Sequence, residues 1–288
     1  MNKLLYALTL CLGMGLSVHA DSDTTQPAST PPPVAGQPWT NSLGVKFVPA
    51  GTDGVLFSVW DARVKDYALF VQETGQEWPK SPFSKTENDP VVMVSWDDAK
   101  AFCDWLTKKE QAEGKLAASQ SYRLPTDAEW SKAVGLNESS EGTPNAKAND
   151  SKSQGIYPWG TQWPPPGGAG NYFGEENGSK GVILGYRDGY IDTSPVGSFA
   201  PNHYGLYDMS GNVGQWCEDY KDSADTGRRV IRGCSCGTSS PYALRSANRN
   251  FELPGWRDPH GGFRVVVAVS PTNGNGTGAG GNPAAQAQ

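Results

Sequence analysis

The stretch most able to do chemistry runs from Tyr204 to Tyr220, Tyr-Gly-Leu-Tyr-Asp-Met-Ser-Gly-Asn-Val-Gly-Gln-Trp-Cys-Glu-Asp-Tyr. Gly211, Asn212 and Gly214 permit a tight bend, and the aromatic residues on either side supply core anchors that pin it. A bend of this kind turns backbone carbonyls outward. With the Asp208 and Gln215 side chains beside them, it makes an oxygen-rich pocket of the type a hard cation such as calcium accepts. The plain alternative is that Met209 to Asn212 is a turn between two strands. Other reactive residue types offer less. His203 and His260 stand in loops without a partner at ligand or triad spacing, which reads as surface or turn placement. Asp98, three residues after Ser95, and Glu129, three after Thr126, are explained as helix caps rather than catalytic acids.

The elements that must hold this bend are short. The chain has 288 residues, with 35 Gly, 22 Pro and 10 Trp, and few long helical patterns. That composition predicts short strands joined by long irregular loops and held by aromatic packing, a loop-rich α+β fold with about three helices. Val45 to Val48 and Val55 to Val59 read as strands around a Gly51 to Gly54 turn. Val64, Tyr67, Ala68 and Val71 share one face of a helix ending near Gly75. Pro90 to Val94 reads as a short buried strand. A second helix follows from Ser95, with Ala99, Phe102, Cys103 and Leu106 on its apolar face, and a third opens at Thr126. The net charge of -6 and the lack of a clustered basic patch exclude a nucleic-acid backbone as partner.

Both ends read differently from the middle. Residues 1–20 have a charged start, an apolar run from Leu4 to Val18 and small residues before Asp21, the pattern of a cleaved export signal. The run is short for a transmembrane span, and none is visible elsewhere. This places the protein in a secreted or periplasmic compartment. Residues 21–40 read as a Pro/Ser/Thr-rich linker, 41–269 as the folded domain, and 270–288 as a disordered tail of Gly, Asn and Ala.

Six segments, in order, carry a resemblance. They are Pro90 to Ala99 (PVVMVSWDDA), Tyr122 to Trp130 (YRLPTDAEW), Tyr157 to Gly160 (YPWG), Gly205 to Val213 (GLYDMSGNV), Arg232 to Ser235 (RGCS) and Gly262 to Arg264 (GFR). Together they make the stretch from Asn41 to Ala268 similar to the formylglycine-generating enzyme, or sulfatase-modifying factor, family. The resemblance implies a modified C-type-lectin-like fold and bound calcium. In active members it also implies a copper-loaded cysteine pair that oxidises a sulfatase cysteine to formylglycine with oxygen. Carried over by position, one calcium set is Asn171, Tyr172, Asp188 and Tyr190, and the other is Asp208, Gly211, Val213 and Gln215. In the second set Gln215 replaces the family's Glu, while Asp208 stands where a neutral Asn can occur.

The departure lies at the copper site. The family's first cysteine falls on Thr238, and the second falls in the Ser239 to Ala243 stretch, where no Cys occurs. A hydroxyl is a poor ligand for the soft copper(I) ion, so copper is not expected there. Cys234 and Cys236 lie just upstream, on what the resemblance makes a strand, so both thiols would share a face. Four Cys remain after the leader, and a disulfide from Cys217 to that pair is expected in an exported chain. Cys103 reads as a buried hydrophobe. Three functions then compete: a catalytically silent exported module that binds a peptide or protein partner such as a sulfatase, a working oxidase using Cys234 and Cys236, and a calcium-dependent glycan-binding module. The missing cysteine pair favours the first. The lack of a Glu-Pro-Asn sugar motif weighs against the third.

Overall fold

The computed structural model describes residues 31–138, 141–148 and 155–269. The export signal, the start of the linker and the tail expected from the sequence lie outside the described residues. Residues 31–40 are docked rather than free: Pro31 and Pro33 carbonyls accept hydrogen bonds from the Trp39 indole and the Gln120 amide, at 2.9 and 2.7 Å. Among the described residues no helix is long and apolar enough to cross a membrane.

Two sheets organise the domain. Strands β1 (Trp39–Thr40), β2 (Lys46–Pro49), β3 (Val55–Ser58), β4 (Ser121–Arg123) and β9 (Val266–Ala268) form an antiparallel sheet in the order β1-β2-β3-β9-β4. Its central strands are buried on both faces, so their alternation sorts residues into two cores rather than into core and solvent. Leu56 and Val267 face one core, while Phe57 and Val266 face the other. Helices α1 (Val64–Thr74) and α2 (Trp96–Ala112) cover the first core. There Tyr67 stacks on Phe102 at 5.9 Å, and Phe70 meets Phe102 edge-on at 5.7 Å. Helix α3 (Asp127–Ala133) closes the second core with Trp130, and the short α4 (Pro144–Ala148) lies on the surface. The other sheet has the order β7-β6-β5-β8, from β7 (Arg249–Glu252), β6 (Arg229–Arg232), β5 (Gly214–Tyr220) and β8 (Gly261–Gly262). Its β5–β8 pair is parallel.

Most of the helix signals translate directly into structure. Both expected capping boxes form, Ser95 with Asp98 and Thr126 with Glu129. Each cap carboxylate gains an arginine besides: Asp98 binds Arg257 at 2.7 Å and Glu129 binds Arg123 at 2.7 Å. Gly75 ends α1 in the left-handed conformation. Two expectations are corrected. Ala68 is exposed, and the buried face of α1 is carried by Asp66, Tyr67 and Phe70. Residues 90–94 form no strand: Pro90 makes one isolated bridge to Arg63, and Met93 takes φ 58°, a left-handed turn that an extended run cannot contain.

Candidate functional site

The site is assembled by one side chain. Asn212, at φ 59°, is fully buried, a conformation that Asn tolerates better than most residues. Its N–H donates to the Asn171 carbonyl (2.9 Å), its amide exchanges two hydrogen bonds with the Ser194 backbone (3.0 Å each), and its carbonyl accepts from the Cys236 N–H (3.0 Å). Three loops distant in sequence are thereby tied to the Asp208 to Val213 bend. Gly211 completes the join. A Cβ there would lie 2.6 Å from the Asn171 carbonyl oxygen, so only glycine lets the bend seat on that loop.

The first calcium set is gathered by Asp188. Its Oδ2 accepts from the Tyr172 N–H (2.8 Å) and its Oδ1 from the Tyr190 N–H (2.9 Å). Asn171 spends its Nδ2 on the Asp192 carbonyl (2.8 Å), while its Oδ1 is buried with no hydrogen-bond partner. Burial, with the Glu176 carboxyl alongside, pushes the metal-free Asp188 carboxyl up to about 7 against the two N–H bonds that lower it. A buried amide oxygen without a partner, on Asn171, and a carboxyl whose charge is disfavoured by its surroundings, on Asp188, are donors of the kind a hard cation takes. Asn171, Asp188 and the Tyr172 and Tyr190 carbonyls would hold it.

The second set is arranged otherwise. Gln215 donates its Nε2 to the Asp208 carbonyl (2.7 Å), and its Oε1 accepts from Trp130 Nε1 (2.9 Å) and Arg264 Nε (3.2 Å). Both oxygen lone pairs are taken. Asp208 caps the Gly197 N–H at 2.8 Å, and Val213 packs against Gly262, where an added Cβ would come within 2.9 Å of its methyl. The fixed cation here is Arg264, whose fully buried guanidinium also reaches the Ser58 carbonyl and lies 3.6 Å from Asp61. In this arrangement the Gln215 side chain has no oxygen lone pair left for a metal ion.

A cleft of about 290 Å³ is bordered by Cys234, Ser235, Thr238, Asn250, Trp256 and His260. Thr238 turns its hydroxyl back on its own loop, accepting from the Ser235 N–H at 3.2 Å, and its carbonyl accepts from the Phe173 N–H at 3.1 Å. His260 is not alone, contrary to the sequence expectation. Its Nδ1 lies 3.1 Å from Asp258 Oδ1, and its Nε2 lies over Gly237, where a Cβ would meet it at 2.9 Å.

The thiols are corrected on two counts. β6 ends at Arg232, and Gly233 at φ 71° swings the chain away, so Cys234 and Cys236 are not on a strand and share no strand face. All four described cysteines are free and buried. Cys103, Cys217 and Cys234 sit in three different hydrophobic clusters, which is why the expected disulfide to Cys217 does not form. Cys234 Sγ contacts Ser210 Oγ at 3.1 Å. Burial pushes both Cys234 and Cys236 up to about 12, with Asp192 and Asp188 adding to the rise at Cys236. Buried and protonated in this way, both are poor nucleophiles near neutral pH.

Comparison with known proteins places this geometry. Residues 53–269 match the family model described as the sulfatase-modifying factor enzyme 1-like domain. The chain belongs to that family. The formylglycine-generating enzyme of Thermomonospora curvata is 32% identical over 233 residues, covering 73% of this chain and 67% of the relative. The inactive C-alpha-formylglycine-generating enzyme 2 of Bos taurus is 34% identical over 185 residues, covering 62% of this chain and 50% of the relative. The chain thus spans about half the length of its mammalian relatives. The structure of PvdO from Pseudomonas aeruginosa superposes with a TM-score of 0.56 at 21% identity, over 82% of this chain and 99% of that one, a likeness of fold.

Within the sulfatase-modifying factor family, then, this member has a cleft lined by Thr238 and the buried Cys234. Sequence reasoning missed the Asp258–His260 pair and the Glu176 carboxylate. An Asp two residues before a His was the available signal for the former. For Glu176 no sequence signal separates it from its neighbour Glu175.

Proposed function

We propose that this chain is an exported, calcium-stabilised binding module of the sulfatase-modifying factor family, one that takes a peptide or protein segment in the Thr238 cleft and does not make formylglycine. The observation that carries the proposal is at the family's copper position, where Thr238 offers a hydroxyl folded onto its own turn and the nearest thiols, Cys234 and Cys236, are buried and protonated. A bovine relative named as inactive lends support, since it is a catalytically silent protein of the same family. A sulfatase is the first partner to test. The working-oxidase alternative would need Cys234 and Cys236 to ionise out of the core. Export rests on the leader pattern in residues 1–20.

Calcium has a stated purpose in this reading. Tyr172 belongs to the cation set, and its neighbour Phe173 holds the carbonyl of Thr238, which lines the cleft. A bound ion at Asn171 and Asp188 stabilises the native state by mass action and steadies that wall of the cleft. Chelator is therefore expected to lower the melting temperature of the full chain. Asp188→Ala should melt low with or without calcium; a melting temperature indifferent to chelator, with Asp188→Ala like the parent, removes the metal from the proposal. A second measurement addresses the cleft. In a competition with a chromophoric copper(I) chelator, the reduced protein is expected to leave the copper on the chelator. Stoichiometric uptake abolished by Cys234→Ser or Cys236→Ser would overturn the silent-cleft reading.

A further inference from the structure

We infer that Glu176 is a ligand of the Asn171–Asp188 cation site, supplying its second carboxylate; the inference rests on the calcium reading above. Glu176 belongs to a single 3₁₀ turn, Glu175–Asn177, that follows Gly174. Its Oε1 accepts from the Asp188 and Gly189 N–H groups, both at 2.8 Å, so the carboxylate is held against the loop that carries Asp188. Its Oε2 is buried with no N–H or O–H donor on it, and the Glu176 and Asp188 carboxyls lie within hydrogen-bond contact of one another. The direction of that oxygen is fixed by Gly174: an added Cβ would stand 2.6 Å from Oε2, so the oxygen lies directly over this glycine. The Gly174 N–H in turn donates to the Tyr172 carbonyl at 2.8 Å. Glu176 therefore meets the Asp188 loop at Oε1 and, at Oε2, the Gly174 that follows Tyr172 by two residues.

Asn171 supplies an independent sign that something is bound here. It is 1% exposed, yet its Oδ1 has no partner. Buried oxygens are rarely left unpaired, and Asn171 directly precedes Tyr172, whose N–H is held by Asp188. Among the described residues no Lys or Arg forms an ion pair with Asp188 or Glu176; the nearby Arg187 pairs with Glu175, and Lys85 with Asp192. Carboxyls in contact without a basic partner repel when both are ionised, and a divalent cation between them removes that repulsion. Two carboxylates, one amide and backbone carbonyls form an oxygen shell of calcium's kind, completed by water.

The test is calorimetric titration of the full chain with calcium after chelation, for the parent, Glu176→Gln and Glu175→Gln, with the chelated melting temperature of each as the second readout. Gln keeps the oxygen that accepts from Asp188 and Gly189 but removes the charge. Glu176→Gln is expected to weaken the calcium Kd by about ten-fold or more, a scale on which even outer-shell partners change metal affinity, with little change in the chelated melting temperature. Glu175→Gln should bind as the parent does. If Glu176→Gln binds calcium as tightly as the parent, or only lowers the chelated melting temperature, Glu176 is a loop cap and the inference falls while the calcium reading stands. If the parent itself takes up no calcium, the calcium reading fails and this inference with it.

Discussion

Replacing Asp127 by alanine is expected to destabilise the domain by about 3 to 5 kcal/mol, the range for breaking a buried ion pair from one side. The Asp127 carboxylate is 2% exposed and receives Arg232 Nη1 at 2.6 Å, Arg249 Nε at 2.9 Å and Arg249 Nη2 at 2.9 Å. Removing it leaves two buried guanidiniums, with Glu138 satisfying only Arg249, at 2.6 Å. Burial alone would raise the Asp127 pKa, but Arg232 and Arg249 outweigh it and hold the carboxyl below its ordinary value. Glu129, bound by Arg123, and Glu138, bound by Arg249, are depressed in the same way. For a depressed carboxyl the unfolded chain binds the proton first. The stability is therefore fully present above the unfolded value, near pH 4, and is lost as pH falls through the folded value. Urea midpoints should drop sharply for Asp127→Ala at neutral pH, and the gap between variant and parent should narrow below about pH 4. A variant with parental midpoints would show that the network is not what holds α3 to the second sheet.

Trp130→Ala should cost about 3 to 5 kcal/mol as well, by a different route, since it empties a fully buried indole site. The ring packs under the Arg232 guanidinium, 4.3 Å from its centroid, and its Nε1 donates to Gln215 Oε1 at 2.9 Å. The loss therefore reaches the site. With the indole gone, Gln215 keeps only Arg264 on that oxygen, and the amide that braces the Asp208 carbonyl is less firmly oriented. Denaturant unfolding measures the stability change. Parental stability in Trp130→Ala would contradict the assignment of this ring to the core.

The parts of the fold legible in the sequence are those decided by local chemistry. Ser95 with Asp98 and Thr126 with Glu129 announce helices α2 and α3 because a capping box satisfies backbone donors within one turn. The sulfatase-modifying factor resemblance was carried by glycines and aromatics whose roles are visible in the structure, such as Gly211 seated on the Asn171 carbonyl. What was not legible depends on backbone reversals that any residue pattern can hide. Met93 at φ 58° breaks an apolar run that otherwise reads as a strand, and Gly233 at φ 71° takes Cys234 and Cys236 off theirs. The expected disulfide to Cys217 fails for a related reason: with its segment turned off the strand, Cys234 joins a different cluster from Cys217. Asp258 and His260 meet only because the loop between them bends the His260 N–H onto the same Asp258 oxygen, at 2.8 Å, that its ring contacts. Glu176 is told from Glu175 only by where a single 3₁₀ turn points each carboxylate.

The central claim is that a cleft lined by Thr238 and the buried, protonated Cys234, with Cys236 next to it, does not oxidise a cysteine to formylglycine. The direct measurement incubates the copper-treated, reduced protein with a peptide of the form Cys-x-Pro-x-Arg, oxygen and a thiol reductant, and follows the peptide by mass spectrometry. The account predicts that the cysteine is recovered unchanged, with no aldehyde product above a protein-free control. Robust conversion to the aldehyde that is lost in Cys234→Ser or Cys236→Ser would contradict it and identify a relocated cysteine pair as the catalytic one.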